Sequence, residues 1–194
     1  MTAPELRRLR ALLPPEPGDQ PRVAPAALGD LRPFPALVAR LAGRVTGSGP
    51  PNIFTTLGRH PRLFRSWLLY SARLMPFGTL PRRESELVIL RVAWQCQAAY
   101  EWHQHVAIGG RVGLSSEQIA AVPDGPGSGV WSERQAALLS ATDELLASRT
   151  LSPPTWDRLR RELSERQRIE LCMLVGQYQG LATALGGLGV QVDD

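Results

Sequence analysis

Three times between residues 115 and 167 a serine stands three places ahead of a glutamine at the head of an apolar-periodic run: Ser115 with Gln118, Ser132 with Gln135, and Ser164 with Gln167. Each pair satisfies two backbone donors reciprocally at a helix start, so each is a helix N-terminus written into the chain. Ser152 before Pro153 and His60 before Pro61 give two further starts, because proline suits the first helical turn. After His60, residues Leu63, Phe64, Trp67, Leu68 and Ser71 recur at three and four spacing and predict a helix that stops at Pro76 and Gly78. No segment alternates convincingly with period two. The expected fold is therefore all-α.

The remaining punctuation sets the order. A proline-rich leader from Pro14 to Pro35, with Pro15, Pro17, Pro21, Pro25 and Pro33, is too rich in helix breakers for a long helix and is expected to wrap the body as an extended arm. A short helical stretch near Ala36 to Ala42 ends at a second breaker, Gly47 to Pro51. Pro81 opens a long central helical region that Gly109 and Gly110 are expected to close. The chain of 194 residues suits one good-sized domain, which buries about 70% of its unfolded surface. We divide it into an N-terminal arm with short helices, residues 1–51, and a helical domain, residues 52–194.

Charge and cysteine content narrow the function classes. All 22 basic residues are arginine and the net charge is +4. The arginines are scattered or interleaved with acids, without aromatic interleaving, which reads as solvated helix surface rather than a nucleic-acid interface. No run of about 18 apolar residues marks a membrane span, and no signal peptide precedes the body. Cys96 and Cys172 form no CxxC, which fits a reduced, cytoplasmic protein and excludes a local dithiol. A weak internal repeat sets Glu86, Leu87 and Leu90 against Glu170, Leu171 and Leu174 at an offset of 84 residues, as expected for two copies of one helical unit around a common core.

Chemistry concentrates between Glu86 and His105, ELVILRVAWQCQAAYEWHQH. Glu101 and His105 are four apart, so on a helix they share a face and can share a proton as a general acid and base. The plain alternative is a solvated ion pair. Unbroken helix would hold Glu86 about 22 Å from Glu101, so Glu86 joins a site only if the helix breaks, and Gln95 to Gln97 is where a corner is expected. Otherwise Glu86 is a buried structural carboxylate paired with Arg91 or Arg83. His103 and His105 diverge by about 200° and do not chelate one metal from a straight helix. With only His60 left as a further imidazole, no metal site is expected. Trp102 and His103 beside the acid, with Trp67, Tyr70 and Phe77 on the preceding helix and turn, are candidates to wall a substrate pocket. Arg73 or Arg91 is the candidate to hold a substrate carboxylate.

These stretches resemble the carboxymuconolactone decarboxylase family, which includes alkyl hydroperoxidase D. The likeness spans about residues 52 to 192 and is carried by HPRLFRSW, LPRRESELVILRVA, AAYEWHQH, VGLSSEQIAAV and ATDEL. It implies an all-helical domain that assembles as a homo-oligomer, a trimer or a multiple of it. In the hydroperoxidase branch a CxxC precedes a histidine, with a glutamate upstream; here those positions are Ala98, Glu101, His105 and Glu86. Thiolate attack on peroxide needs sulfur at those places. The pattern Tyr100-Glu101-Trp102 followed by His105 instead resembles the decarboxylase branch. The resemblance implies a cofactor-independent proton-transfer enzyme for the decarboxylation or isomerisation of a small carboxylated lactone or organic acid, with Glu101, His105 and Glu86 as catalytic groups. A thiol peroxidase using Cys96 and Cys172, and a non-enzymatic ligand-binding oligomer, are the competing expectations.

Overall fold

The structure, a computed structural model, describes residues 1–14, 20–46 and 49–193. Pro15 and Pro17 of the leader and Gly47 of the second breaker lie outside the described residues. Among the described residues ten α-helices run in order: α1 Ala3–Arg10, α2 Pro33–Thr46, α3 Asn52–Leu57, α4 Pro61–Leu74, α5 Arg82–Gln95, α6 Ala99–Arg111, α7 Ser116–Ala121, α8 Glu133–Ser148, α9 Pro153–Glu162 and α10 Glu165–Leu188. No strand occurs among the described residues. All three serine–glutamine capping boxes form, at the heads of α7, α8 and α10. A fourth, Thr2 with Glu5, starts α1.

Helix α5 is the axle. Every residue from Ser85 to Ala93 is buried, because apolar residues point in several directions around the helix and the charged Glu86 and Arg91 are ion-paired. On one side Val88, Ile89 and Val92 pack with Leu138 and Ala141 of α8 and Leu171, Leu174 and Val175 of α10. On the other, Leu87 and Leu90 meet Leu9 of α1, Trp102 and Val106 of α6, and Ile119 of α7. Full burial of each such side chain is worth about 1.5–3 kcal/mol. The repeat is realised as α5 against α10, and its second acid has a structural task. Glu170 accepts hydrogen bonds from Thr79 N, Thr79 Oγ1 and Leu80 N at 2.5–2.9 Å, tying α10 to the turn ahead of α5.

The long central region is two helices, not one. The chain breaks where the corner was expected: α5 ends at Gln95, Gln97 adopts φ +52°, and α6 begins at Ala99. Gly109 and Gly110 do not end α6, which continues to Arg111. Their role is close approach: a Cβ on Gly109 would stand 3.0 Å from Leu114 Cδ1 and 3.4 Å from Leu90 Cδ1. The turn comes later, at Gly113 with φ +100°. The arm crosses the body as expected, with Arg22 and Val23 donating to Leu188 O, Ala26 donating to Thr55 O and Arg59 donating to Ala24 O. The segment ahead of it is anchored more deeply, since Leu9 and Leu13 are buried in the core.

Candidate active site

The corner at Gln97 folds α6 back along α5 and carries His105 to Glu86. His105 Nδ1 lies 2.6 Å from Glu86 Oε2, in a contact buried on both sides. Glu86 is fully buried, and its other oxygen, Oε1, is 2.7 Å from Arg82 Nη1 one turn earlier on α5. This corrects the expected pairing in two respects. His105 is engaged by Glu86 rather than by Glu101, and Glu86 pairs with Arg82 rather than with Arg91 or Arg83. Arg91 instead grips Asp143 with Nε and Nη2 at 2.6 and 2.8 Å and donates through Nη1 to Val122 O and Pro123 O. Arg83 donates to Gln118.

His105 and Glu101 line one cleft of about 340 Å³ between α3, α4, α6 and α10. Its walls are mainly apolar, from Ile53, Phe54, Trp67, Met75, Ile108 and Leu181. Glu101 is 2% exposed, and neither of its carboxyl oxygens has a hydrogen-bond partner. Burial without a compensating charge favours the neutral acid, so its pKa is pushed well above the usual carboxylate range. Tyr178 closes the inner wall with its ring edge-to-face on His105, centroids 5.2 Å apart. Burial, with the charge of Glu86, pushes the Tyr178 phenol well above its ordinary value, so it stays protonated. At the other wall Tyr100 donates to Asp193 Oδ2 and accepts from Ile53 N, and Gln104 donates to the same Asp193 oxygen.

Of the expected pocket residues, Trp67 lines the cleft. Trp102 and His103 do not: successive residues on a helix turn by about 100°, and the face beyond Glu101 looks toward α1. Trp102 is fully buried, with Nε1 donating to Leu9 O. His103 holds Arg10 through its carbonyl, and burial beside that guanidinium lowers its imidazole pKa to about 4. Tyr70 and Arg73 are outward positions on α4, with the Tyr70 hydroxyl reaching Met173 O, and neither lines the cleft. The sequence reading missed Gln104 and Ile108, which line the cleft together with Tyr178. Gln104 and Ile108 follow Glu101 at three and seven, so that face was legible; Tyr178 carried no signal separating it from plain core.

Neither cysteine belongs to the cleft. Cys96 caps the end of α5, half-buried, and burial pushes its thiol up. Cys172 is exposed on α10, and the two are not bonded to each other. Among the described residues no group of three His, Cys, Asp or Glu is placed to hold a metal ion. His60 is occupied as the cap of α4, accepting from Leu63 N. No helix among the described residues is long and apolar enough to cross a membrane.

A helix corner on an all-helical frame thus brings the Glu86 acid to the His105 imidazole. Residues 61–144 match the carboxymuconolactone decarboxylase family. That stretch includes α4, α5 and α6 and so holds Glu86, Glu101 and His105. The fold is that of the alkylhydroperoxidase D group. A peroxidase-related protein from Ralstonia eutropha JMP134, described as an AhpD core, superposes with a TM-score of 0.77 at 19% identity, over 90% of this chain and 93% of that one. A peroxidase-related protein from Silicibacter sp. TM1040 gives 0.78 at 13% identity, over 91% and 93%. The debrominase Bmp8, solved with 2,3,4-tribromopyrrole, gives 0.73 at 20% identity, over 88% and 91%. A search of curated proteins finds no match.

Proposed function

We propose that the protein is a cofactor-independent proton-transfer enzyme acting on a small organic molecule in the cleft of Glu101 and His105. One observation carries this reading: the 2.6 Å contact between His105 Nδ1 and Glu86 Oε2 opens onto the same cleft as the unpartnered Glu101 carboxyl. A carboxylate on Nδ1 fixes the imidazole tautomer and leaves Nε2 as the base. In the proposed step Nε2 takes a proton from a carbon next to a carbonyl, and the C–H electron pair moves to the carbonyl oxygen. Glu101, as a neutral acid, donates a hydrogen bond to that oxygen as charge develops on it. The imidazolium, stabilised by Glu86, returns the proton to the same or a conjugated carbon, which gives exchange or isomerisation. General acid–base catalysis of this kind contributes about 10²–10⁴-fold.

The same observation argues against a thiol peroxidase, because no sulfur lines the cleft apart from the thioether of Met75. Of the two reactions implied by the decarboxylase branch, isomerisation fits the residues better, since Arg73 and Arg91 stand elsewhere. The reading is tested by incubating small lactones and cyclic enones in deuterated water with the protein and following solvent exchange and double-bond migration by NMR. Turnover that disappears in His105→Ala and persists in Cys96→Ser supports it. Turnover retained in His105→Ala contradicts it.

A further inference from the structure

The expected substrate carried a carboxylate, and the cleft is poorly made for one. It has no arginine among its lining residues, and the chain has no lysine at all. Arg91 is saturated by Asp143, Val122 and Pro123, Arg82 faces Glu86, and Arg73 points outward. A carboxylate entering this cleft gives up its water without meeting a cation, a cost of several kcal/mol per ion.

Two donors, by contrast, stand unused in the apolar wall. The Glu101 carboxyl has no partner on either oxygen, and the indole Nε1 of Trp67 is likewise buried without one. Several polar groups around them are taken: Ser71 Oγ accepts from Gln177, Tyr100 and Gln104 bind Asp193, and His105 Nδ1 meets Glu86. A buried donor left unpaired costs about 1–3 kcal/mol, which a ligand carrying an acceptor recovers.

We infer that this cleft selects neutral carbonyl compounds and rejects carboxylates, with the unpartnered Glu101 carboxyl as the specificity-determining group and Trp67 as a second donor. The inference rests on the proton-transfer reading only for the chemistry that follows binding. Selection itself comes from the missing cation and the unpaired donors.

The test uses acetophenone and benzoate, probes of similar size that differ in charge, titrated into the full chain by calorimetry. Acetophenone is expected to bind at least tenfold more tightly than benzoate. Glu101→Gln, which keeps a neutral donor, is expected to retain acetophenone binding, and Glu101→Leu to weaken it about tenfold, the worth of one hydrogen bond. Glu101→Leu removes an unpaired polar group from an apolar site, so folding is not put at risk. Equal or tighter binding of benzoate, no binding of acetophenone, or unchanged affinity in Glu101→Leu overturns the inference. If acetophenone binds as stated and no carbonyl compound exchanges deuterium, selection stands and only the proton-transfer reading falls.

Discussion

Glu86 and His105, nineteen residues apart in sequence, meet at 2.6 Å because the chain turns a corner at Gln97. That meeting fixes the tautomer of His105, so the charge on Glu86 and not merely its shape matters. Glu86→Gln is expected to lower kcat by about 10²–10⁴-fold with little change in KM. Steady-state kinetics on whichever carbonyl compound turns over checks this; a change confined to KM contradicts the positioning role.

Glu101 links the cleft to the pH dependence of stability. Its folded pKa is raised by burial, so between the unfolded value, near 4.5, and the folded value the native state holds a proton that the unfolded chain has lost. Stability from this group is full below the unfolded pKa and is lost as pH rises through the folded one. Urea unfolding of wild type and Glu101→Gln across that window is expected to show the wild type losing ground to the variant as pH increases. Parallel curves contradict a neutral Glu101.

The corner itself is strained. Gln97 sits at φ +52°, where a side chain costs about 1–2 kcal/mol and glycine does not. Gln97→Gly is expected to stabilise the fold by somewhat less than that, because the bond from Gln97 Nε2 to Trp94 O is lost. Activity should be unchanged. Gln97→Val should destabilise. Thermal unfolding of the three proteins decides.

Gly109 packs on α6 between Leu114 and the α5 residues Leu90 and Glu86. A methyl there stands 3.0 Å from Leu114 Cδ1, and overpacking of this kind costs about 1–3 kcal/mol. Gly109→Ala is therefore expected to lower stability and, by shifting α6, to reduce turnover as well. Full activity would separate the packing from the site.

The thiols should be slow. Partial desolvation of the sulfur pushes both Cys96 and Cys172 above the ordinary thiol range, although Cys172 as a residue is exposed, and this lowers the thiolate fraction that reacts. Iodoacetamide labelling at neutral pH, followed by mass spectrometry, is expected to lag behind free cysteine at both positions. Fast labelling of Cys96 with peroxide-dependent disulfide formation contradicts the sulfur-independent reading.

Much of this was legible before the fold was seen. The capping serines Ser115, Ser132, Ser152 and Ser164 announce helices that form where they stand, because capping is a local matter. The break at Gln95 to Gln97 was legible as a necessity of distance, although neither glycine nor proline marks it. What the sequence did not disclose was which partner wins. Glu101 and His105 are neighbours on one helix, and only tertiary packing brings Glu86 in to take the imidazole. Trp102 and His103 were misplaced for the same reason. Adjacency in sequence put them beside Glu101, while the helix twist and the docking of α1 through Leu9 and Arg10 turned them away.

The protonation state of Glu101 joins the fold, the cleft and the chemistry, and ¹³C NMR of side-chain-labelled glutamates reads it directly, with Glu101→Gln to assign the signal. A Glu101 carboxyl resonance still at the neutral-acid position at neutral pH is the expected result. A resonance at the carboxylate position there, titrating like an exposed glutamate, contradicts the neutral donor on which both the proposed reaction and its selectivity depend.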